Sequence, residues 1–324
     1  MTALDREDAL IALLHQRLGG GRQGDEGIGD DGCRLRSDDG SVVVLDTMVE
    51  GVHFRSDWST WSDIGWKLLA TNVSDLYAMG AQPRVFLLSL SLPQSFSWSA
   101  IEGLVEGLEA GVAAWGPLAL VGGDTTGSPG PVVLSATIVG AQQGQALWSR
   151  SRAIAGASLY LDGPVGWAAA GLAVLRGERC GGSQAAPFVR AHQRPDVRTP
   201  AWGVDAHACI DVSDGLARDA WRLARASGTH LYMEGSLPGE DALLSCFGEE
   251  EGARVALEGW QWHGGDDYVR LWAAPAPVPG ASRIGWVERG PAGVSYRRSA
   301  QEPWRPVPER GWTHFGARAG GGAL

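Results

Sequence analysis

The apolar positions of the first half of the chain alternate between short runs and long helical spacings. Val42-Val43-Val44-Leu45 is a short β-branched run that stops at a carboxylate, Asp46, and reads as a buried strand. Residues 85–92, 118–121 and 131–140 read as further strands. Between them, residues 63–79 and 98–114 carry helical spacing. In the first of these, Leu68, Leu69, Val73, Leu76 and Met79 supply an apolar side, while Lys67, Thr71, Ser74 and Asp75 share a polar one. Gly80-Ala81-Gln82-Pro83 ends it. Near the start, Leu10, Leu13, Leu14 and Leu18 predict an amphipathic packing helix over 5–18, closed by Gly19-Gly20-Gly21. Strand and helix thus alternate through about residue 148, the pattern of an α/β domain.

The pattern changes at Trp148-Ser149-Arg150-Ser151-Arg152, a basic, polar stretch in an acidic chain. It marks a boundary between domains at 1–148 and 149–318, with a tail at 319–324 expected to lack order. Beyond it, 157–161 reads as a strand, 167–175 as a small-residue helix and 180–184 as a flexible Gly/Ser loop. Ile210-Asp211-Val212-Ser213-Asp214-Gly215-Leu216 opens a helix through residue 226, and Trp262-His263-Gly264-Gly265-Asp266-Asp267-Tyr268 is a Gly-rich acidic loop before a short strand. The remainder is weakly patterned, and Trp312 and Phe315 read as core residues holding the C-terminal segment down.

Acidic residues recur at the ends of these elements. Gly27-Ile28-Gly29-Asp30-Asp31, Asp46, Asn72-Val73-Ser74-Asp75 and Gly122-Gly123-Asp124-Thr125-Thr126 each read either as a solvated turn or helix face or as part of a metal site that glycine lets a ligand approach. A carboxylate at the end of a buried strand is costly to desolvate without a partner, which favours convergence of these acids around cations. Asp211, Ser213 and Asp214 exceed what one helix N-cap needs; helix starts favour phosphate, and anionic Asp there calls for an intervening metal. His53 is either a structural hydrogen-bonder or a ligand contact beside the Asp46 strand.

Composition narrows the partners. The formal net charge of −10, with no Lys/Arg-rich block, argues against nucleic acid. The longest apolar stretch, near 85–92, is too short to span a bilayer as a helix, and Asp5, Arg6, Glu7 and Asp8 do not open a secretory signal. Cys33, Cys180, Cys209 and Cys246 are scattered and form no C-x-x-C pair; neither a zinc site nor a disulfide framework is supported, and reduced thiols in a cytoplasm are expected.

In combination the motifs resemble the thiamine-monophosphate kinase family, whose fold is shared with aminoimidazole ribonucleotide synthetase. The matching stretches are Gly27-Ile-Gly-Asp-Asp31, Asp46-Thr-Met-Val-Glu-Gly-Val-His-Phe54, Trp66-Lys-Leu-Leu-Ala-Thr-Asn-Val-Ser-Asp75, Ala78-Met-Gly-Ala81, Gly122-Gly-Asp-Thr-Thr126, Asp211-Val-Ser-Asp-Gly-Leu216, Gly264-Gly-Asp-Asp-Tyr268 and Gly311-Trp-Thr-His-Phe315. They occur in the family's order and span nearly the whole chain. The resemblance implies a two-domain α/β (α+β) fold, with the N-terminal sheet joining its twin in a homodimer to form a barrel and a second α/β domain covering the cleft. It implies direct transfer of the γ-phosphoryl group of ATP to thiamine monophosphate with Mg²⁺, giving thiamine diphosphate.

By the same resemblance, Asp31, Asp46, Asp75 and Asp124 hold Mg²⁺, joined by Asp211 and Asp214 from the second domain; Gly123, Asp124, Arg150 and Ser213 lie at the nucleotide phosphates; His53, Asp266 and Trp312 face the thiamine monophosphate. Asp46, Asp124 and Arg150 are then the catalytic set. The residue chemistry agrees: two carboxylates 4 Å apart repel by roughly 1 kcal/mol in water and about 4 kcal/mol at an intermediate dielectric, so converging acids need cations. Phosphoryl transfer asks mainly for positioning and charge neutralisation. Leu45 stands where the family carries Thr or Ser, Asp266 where it carries Glu, and Val269-Arg270 where Glu-Leu is commoner. Other ATP-using members of the fold fit less well. The chain ends Gly320-Gly-Gly-Ala-Leu324 without the reactive Cys of the hydrogenase-maturation type, and Cys33 lacks the catalytic Lys setting of selenophosphate synthetases. An inactive nucleotide-binding scaffold is disfavoured by the intact acids.

Overall fold

The structure is a computed structural model and describes residues 30–34, 40–144, 148–178, 180 and 182–314. The helix expected over 5–18, the tail 319–324, Gly27 to Gly29 and Phe315 lie outside the described residues. The chain divides into two compact units, the first ending at Gln143 and taking Thr313 and His314 back from the C-terminal end, the second running from Gly144 to Trp312.

In the first unit the elements are β1 (Cys33–Arg34), β2 (Ser41–Val49), α1 (Trp61–Ala78), β3 (Ala81–Pro93), α2 (Trp98–Trp115), β4 (Ala119–Ser128) and β5 (Val133–Gln142). The sheet order is β1-β2-β5-β3-β4. β5 pairs antiparallel with β2 and β3, and β4 lies parallel to β3, the pairing that a helical crossover through α2 permits. Alternation sets the faces: Val42, Val44, Met48, Phe86, Leu134, Ala136 and Ile138 are buried, whereas Leu45 is 65 % exposed on the opposite side.

Two strand expectations need correction. Val42 to Leu45 is not buried on both faces and does not stop at Asp46; β2 continues to Val49 because its ladder with β5 runs unbroken from Ser41–Ala141 to Val49–Val133. β4 likewise carries Asp124 within it. A carboxylate inside a strand is tolerated where the surface it meets stays partly open, and Asp46 is half-buried while Asp124 is exposed.

α1 starts at Trp61, two residues before the hydrophobic spacing suggests, because Thr60 and Asp63 form a reciprocal cap. Thr60 Oγ1 accepts from Asp63 N at 3.1 Å, and Asp63 Oδ2 accepts from Thr60 N at 3.2 Å. Its polar side is not solvated: Lys67, Thr71, Asn72 and Ser74 are all buried. The helix is covered by the sheet and by α2, whose approach depends on two glycines. A Cβ on Gly65 would press into the Leu104 carbonyl oxygen, and one on Gly107 into the Ser62 carbonyl oxygen.

The second unit contains β6 (Ser158–Leu161), α3 (Trp167–Leu175), α4 (Ala186–Gln193), β7 (Ala208–Asp211), α5 (Leu216–Ser227), β8 (Thr229–Glu234), α6 (Glu240–Phe247), α7 (Glu251–His263), β9 (Arg270–Ala274), β10 (Ser282–Arg289), β11 (Gly293–Arg297) and β12 (Arg305–Pro306). Its sheet runs β12-β11-β8-β10-β6-β9-β7. The core joins Leu159, Ile210, Leu231, Leu271 and Val287 of the strands to Leu216, Ala220, Leu223 and Ala224, one face of α5 at helical spacing.

The expectation of reduced, scattered cysteines is corrected here. Cys180 and Cys246 are disulfide-bonded with Cα atoms 5.2 Å apart, a separation ordinary for that bond. The loop before α4 and the helix α6 meet over one small cluster of Phe188, Leu243 and Leu257, which brings the two thiols together. Gly182–Ala185 forms a short 3-10 turn. Cys33 and Cys209 remain thiols. Among the described residues, no helix is long and apolar enough to cross a membrane.

The glycine contact sets a sign that helix propensity alone would get wrong. Gly107→Ala gains about 1 kcal/mol of propensity, but overpacking two helices against each other costs about 1–3 kcal/mol or more. We expect a net loss of about 1–2 kcal/mol in urea unfolding. Gly252→Ala, in α7 with nothing within 4 Å of an added Cβ, should instead gain a few tenths of a kcal/mol or more.

Candidate active site

In the first unit, α1 and the segment ahead of β1 present carboxylates to each other. Asp75 lies in the last turn of α1, where the helix dipole is negative and no basic residue offsets it. Asp31 precedes β1, and its carboxylate oxygen lies within 4.8 Å of that of Asp75. Both residues are half-buried. Two like charges at that separation repel by roughly 1–4 kcal/mol, depending on how much water screens them, and a hard divalent cation reverses the sign.

The sheet supplies the next two carboxylates on different faces. Asp46 pairs in register with Ala136, which pairs with Leu88 and then Gly123; this row faces α1. Asp124 belongs to the neighbouring row, Thr47–Ser135–Ser89–Asp124, on the opposite face. Thr47 Oγ1 and Ser135 Oγ lie 2.7 Å apart, as neighbours on one face should. The first unit therefore brings Asp31 and Asp75 together and turns Asp46 to the same side of the sheet, while Asp124 stands exposed on the edge strand. Gly123 lets β4 close on β3, since a Cβ there would run into the Leu88 carbonyl oxygen. His53 Nδ1 accepts from Val49 N at 2.9 Å, which leaves the ring proton on Nε2 and makes that edge a donor. Its ring centroid is 5.3 Å from that of His314.

In the second unit the functional segments meet at the turn between β7 and α5. Asp211, the last residue of β7, is buried. Neither Ser213 nor Asp214 caps α5; Gly215 occupies that position without a side-chain bond. Instead, Asp219 reaches back from the helix. Its Oδ2 accepts from Ser213 N and Asp214 N, each at 3.0 Å, and its Oδ1 accepts from Arg222 Nη1 at 2.8 Å. Burial pushes the Asp219 carboxyl up to about 6, against the pull of Arg222. The Asp214 carboxylate meets Arg222 Nη2 at 2.8 Å and Arg218 Nη1 at 3.5 Å, so a cation would compete with two guanidiniums for it. Arg150 opens a 3-10 turn, and its carbonyl accepts from Ser227 Oγ at 2.6 Å.

The acidic loop after α7 is pinned on both sides. Asp266 N donates to Ser213 O and Tyr268 N to Val212 O, each at 2.9 Å. Asp266 and Tyr268 both adopt left-handed backbone, with φ of 68° and 50°, which non-glycine residues reach only at a cost. Tyr268 Oη donates to Asp266 Oδ1 at 2.9 Å and so orients the acid. Asp267 turns inward, accepting from Gly166 N at 2.6 Å and Ala168 N at 3.1 Å at the start of α3. Burial pushes its carboxyl up to about 7 even though those N–H groups pull it down. Trp312 N donates to Asp214 O at 2.9 Å, while the residue itself is 40 % exposed. Arg270, out of pattern for the resemblance, has a dedicated partner: its N and Nε donate to Asp162 at 2.8 and 2.6 Å, and Trp272 Nε1 donates to the same carboxylate at 3.2 Å.

The sequence reading did not single out Asp219, Asp267, Asp162 or Arg222. Asp219 carried one available signal, a lone acid on the apolar side of a helix that follows an Asp/Ser cluster. Asp267 stood in plain view beside Asp266 but had no feature to separate an inward role from an outward one.

The family described as AIR synthase related protein, N-terminal domain, matches residues 29–142. A thiamine-monophosphate kinase of Mycobacterium tuberculosis is 34 % identical over 313 residues, covering 92 % of this chain and 88 % of that protein. The structure of AaThiL complexed with AMPPCP and TMP superposes with a TM-score of 0.78 at 27 % identity, covering 95 % of this chain and 97 % of that one. A hydrogenase maturation protein, HypE, shares the fold alone, with a TM-score of 0.62 at 18 % identity over 90 % of this chain and 92 % of that one.

Asp267 gives the second unit a pH signature. Its folded value of about 7 lies above the ordinary carboxyl range, so the folded state holds the proton more tightly than the unfolded chain. Its contribution is fully present below about pH 4 and is lost as pH rises through about 7. Between pH 5 and pH 8 the wild type should lose on the order of 2–4 kcal/mol through this group, and Asp267→Asn should flatten that part of the profile. Urea unfolding of both proteins across the range measures the difference.

Proposed function

Since the chain belongs to the thiamine-monophosphate kinase family, we propose that it phosphorylates thiamine monophosphate to thiamine diphosphate with ATP and Mg²⁺. The observation that carries this reading is the facing pair of Asp31 and Asp75, an all-oxygen donor set held at close range by a helix end and a turn. That set suits Mg²⁺ and no softer metal. When bound, Mg²⁺ supplies neutralising charge to phosphate oxygens. Asp31, Asp46 and Asp75 would hold it in the first unit, and Asp124, exposed on the other face of the edge strand, would serve a further Mg²⁺. In the second unit Asp211 and Asp214 would be the carboxylates offered to Mg²⁺, Asp214 in competition with its two guanidiniums.

The remaining residues bind and orient the two reactants. In the first unit Gly123 would offer its backbone to a nucleotide phosphate, and in the second Arg150 and Ser213 would supply a guanidinium and a hydroxyl to phosphate. His53 donates through Nε2, Asp266 accepts, and Trp312 offers an exposed indole face for a ring of the acceptor. A phosphate oxygen of thiamine monophosphate attacks the γ-phosphorus in line, and the bond to the β,γ-bridging oxygen breaks, leaving ADP. The attacking oxygen is already ionised near neutral pH, so no strong general base is needed. We assign the reaction to the cytoplasm, where ATP is supplied.

A homodimer completes this reading. Leu45 and Leu87 are exposed apolar residues of one row on β2 and β3, on the face turned away from α1. A second copy of the same sheet is the occupant, by a two-fold pairing.

The test of the activity is an assay with ATP, Mg²⁺ and thiamine monophosphate, following ADP and thiamine diphosphate together. Asp75→Asn should lower turnover roughly 100-fold or more and raise the Mg²⁺ requirement. Unchanged turnover would overturn the assignment. Leu45→Asp should convert the sedimenting species from dimer to monomer with the circular dichroism spectrum retained; a wild type that sediments as a monomer would refute the dimer.

A further inference from the structure

The two acceptor-facing residues of the second unit hang on one turn, and that turn hangs on one carboxylate. Ser213 and Asp214 direct both N–H groups to Asp219 Oδ2. Their carbonyls hold Asp266 N and Trp312 N, each at 2.9 Å. Asp266 sits in left-handed backbone that is maintained by its surroundings, and Trp312 has an indole too exposed to be fixed by packing alone. Asp219 is fully buried; besides the turn it meets Arg222, whose guanidinium bridges Asp219 and Asp214 at 2.8 Å each, and it lies within the field of Arg150. A buried carboxylate with both oxygens engaged, one by two backbone N–H groups and the other by a guanidinium, defines the turn's shape.

We propose that Asp219 is a positioning residue that sets the acceptor-binding and nucleotide-binding segments of the second unit at once, through the turn at Ser213 and Asp214. It touches neither reactant. This rests on the reading that Asp266 and Trp312 face thiamine monophosphate and that Ser213 faces the nucleotide. Because one turn carries both sets, displacing it weakens both substrates together, whereas removing a direct contact weakens one.

Asp219→Asn keeps size but offers one acceptor oxygen where two are used, and it sets an amide donor against the Arg222 donor. The Michaelis constants for both ATP and thiamine monophosphate should rise by about fivefold or more. Hydrogen exchange should accelerate at the Asp266 and Trp312 amides while the later turns of α5 keep their protection. In Asp219→Asn/Arg222→Gln the two amides can pair, and both constants should return toward wild type. Trp312→Ala is the benchmark and should raise the constant for thiamine monophosphate alone.

If Asp219→Asn lowers the thermal midpoint but leaves both constants and both amides unchanged, Asp219 is structural only and the proposal is overturned. Should Trp312→Ala leave thiamine monophosphate binding intact while Asp219→Asn weakens only ATP, the acceptor reading fails and takes the proposal with it. If Asp219→Asn does not fold, Arg222→Gln decides: unaltered constants and exchange rates in that variant also overturn it.

Discussion

A buried carboxylate must find a donor, and in this protein the donor it finds shapes each functional segment. Asp219 takes two backbone N–H groups and bends the turn before α5. Asp267 takes the first N–H groups of α3 and fixes the floor of the acidic loop. Asp162 takes Arg270 and Trp272 and ties β6 to β9 beside that loop. Leaving any of these acids without its donors would cost several kcal/mol, a large share of a domain's stability. Asp31 and Asp75 contrast with them, because they face each other. Acids that face each other at close range are suited to a cation.

Much of the first unit was legible in the chain because its signals are local. The β-branched run at Val42, the helical spacing of Leu68, Val73, Leu76 and Met79, and the helix from Trp98 all recur as elements. The start of α1 was shifted because its cap uses Asp at the third position, Thr60-Trp61-Ser62-Asp63, where Glu or Gln is the familiar signal. The burial of Lys67, Thr71 and Ser74 was not legible at all, since it depends on what packs over the helix and not on the helix's own spacing.

The second unit was harder to read for a different reason. β12 has two residues, and β8, β10 and β11 carry His230, Glu234, Glu288 and Arg297 among the apolar positions, so the alternation is diluted. The Cys180–Cys246 bond joins residues 66 apart that no spacing rule connects. The candidate residues themselves stood out as Gly-Asp clusters. Which oxygen of which acid meets which donor depends on long-range register, and no local pattern encodes it. That is why Asp211, Ser213 and Asp266 could be singled out from the chain while Asp219 could not.

β2 has one further implication. Its odd and even positions do unrelated jobs: Val44, Asp46 and Met48 look toward α1, while Leu45 and Thr47 look the other way. Chemistry and the outer sheet surface are therefore written in alternate letters of one nine-residue word. A single inserted or deleted residue would exchange the two vocabularies along the rest of the strand, whereas a change of two would preserve them. Length variation among proteins built this way should be confined to the loops flanking this strand, or come in even steps within it.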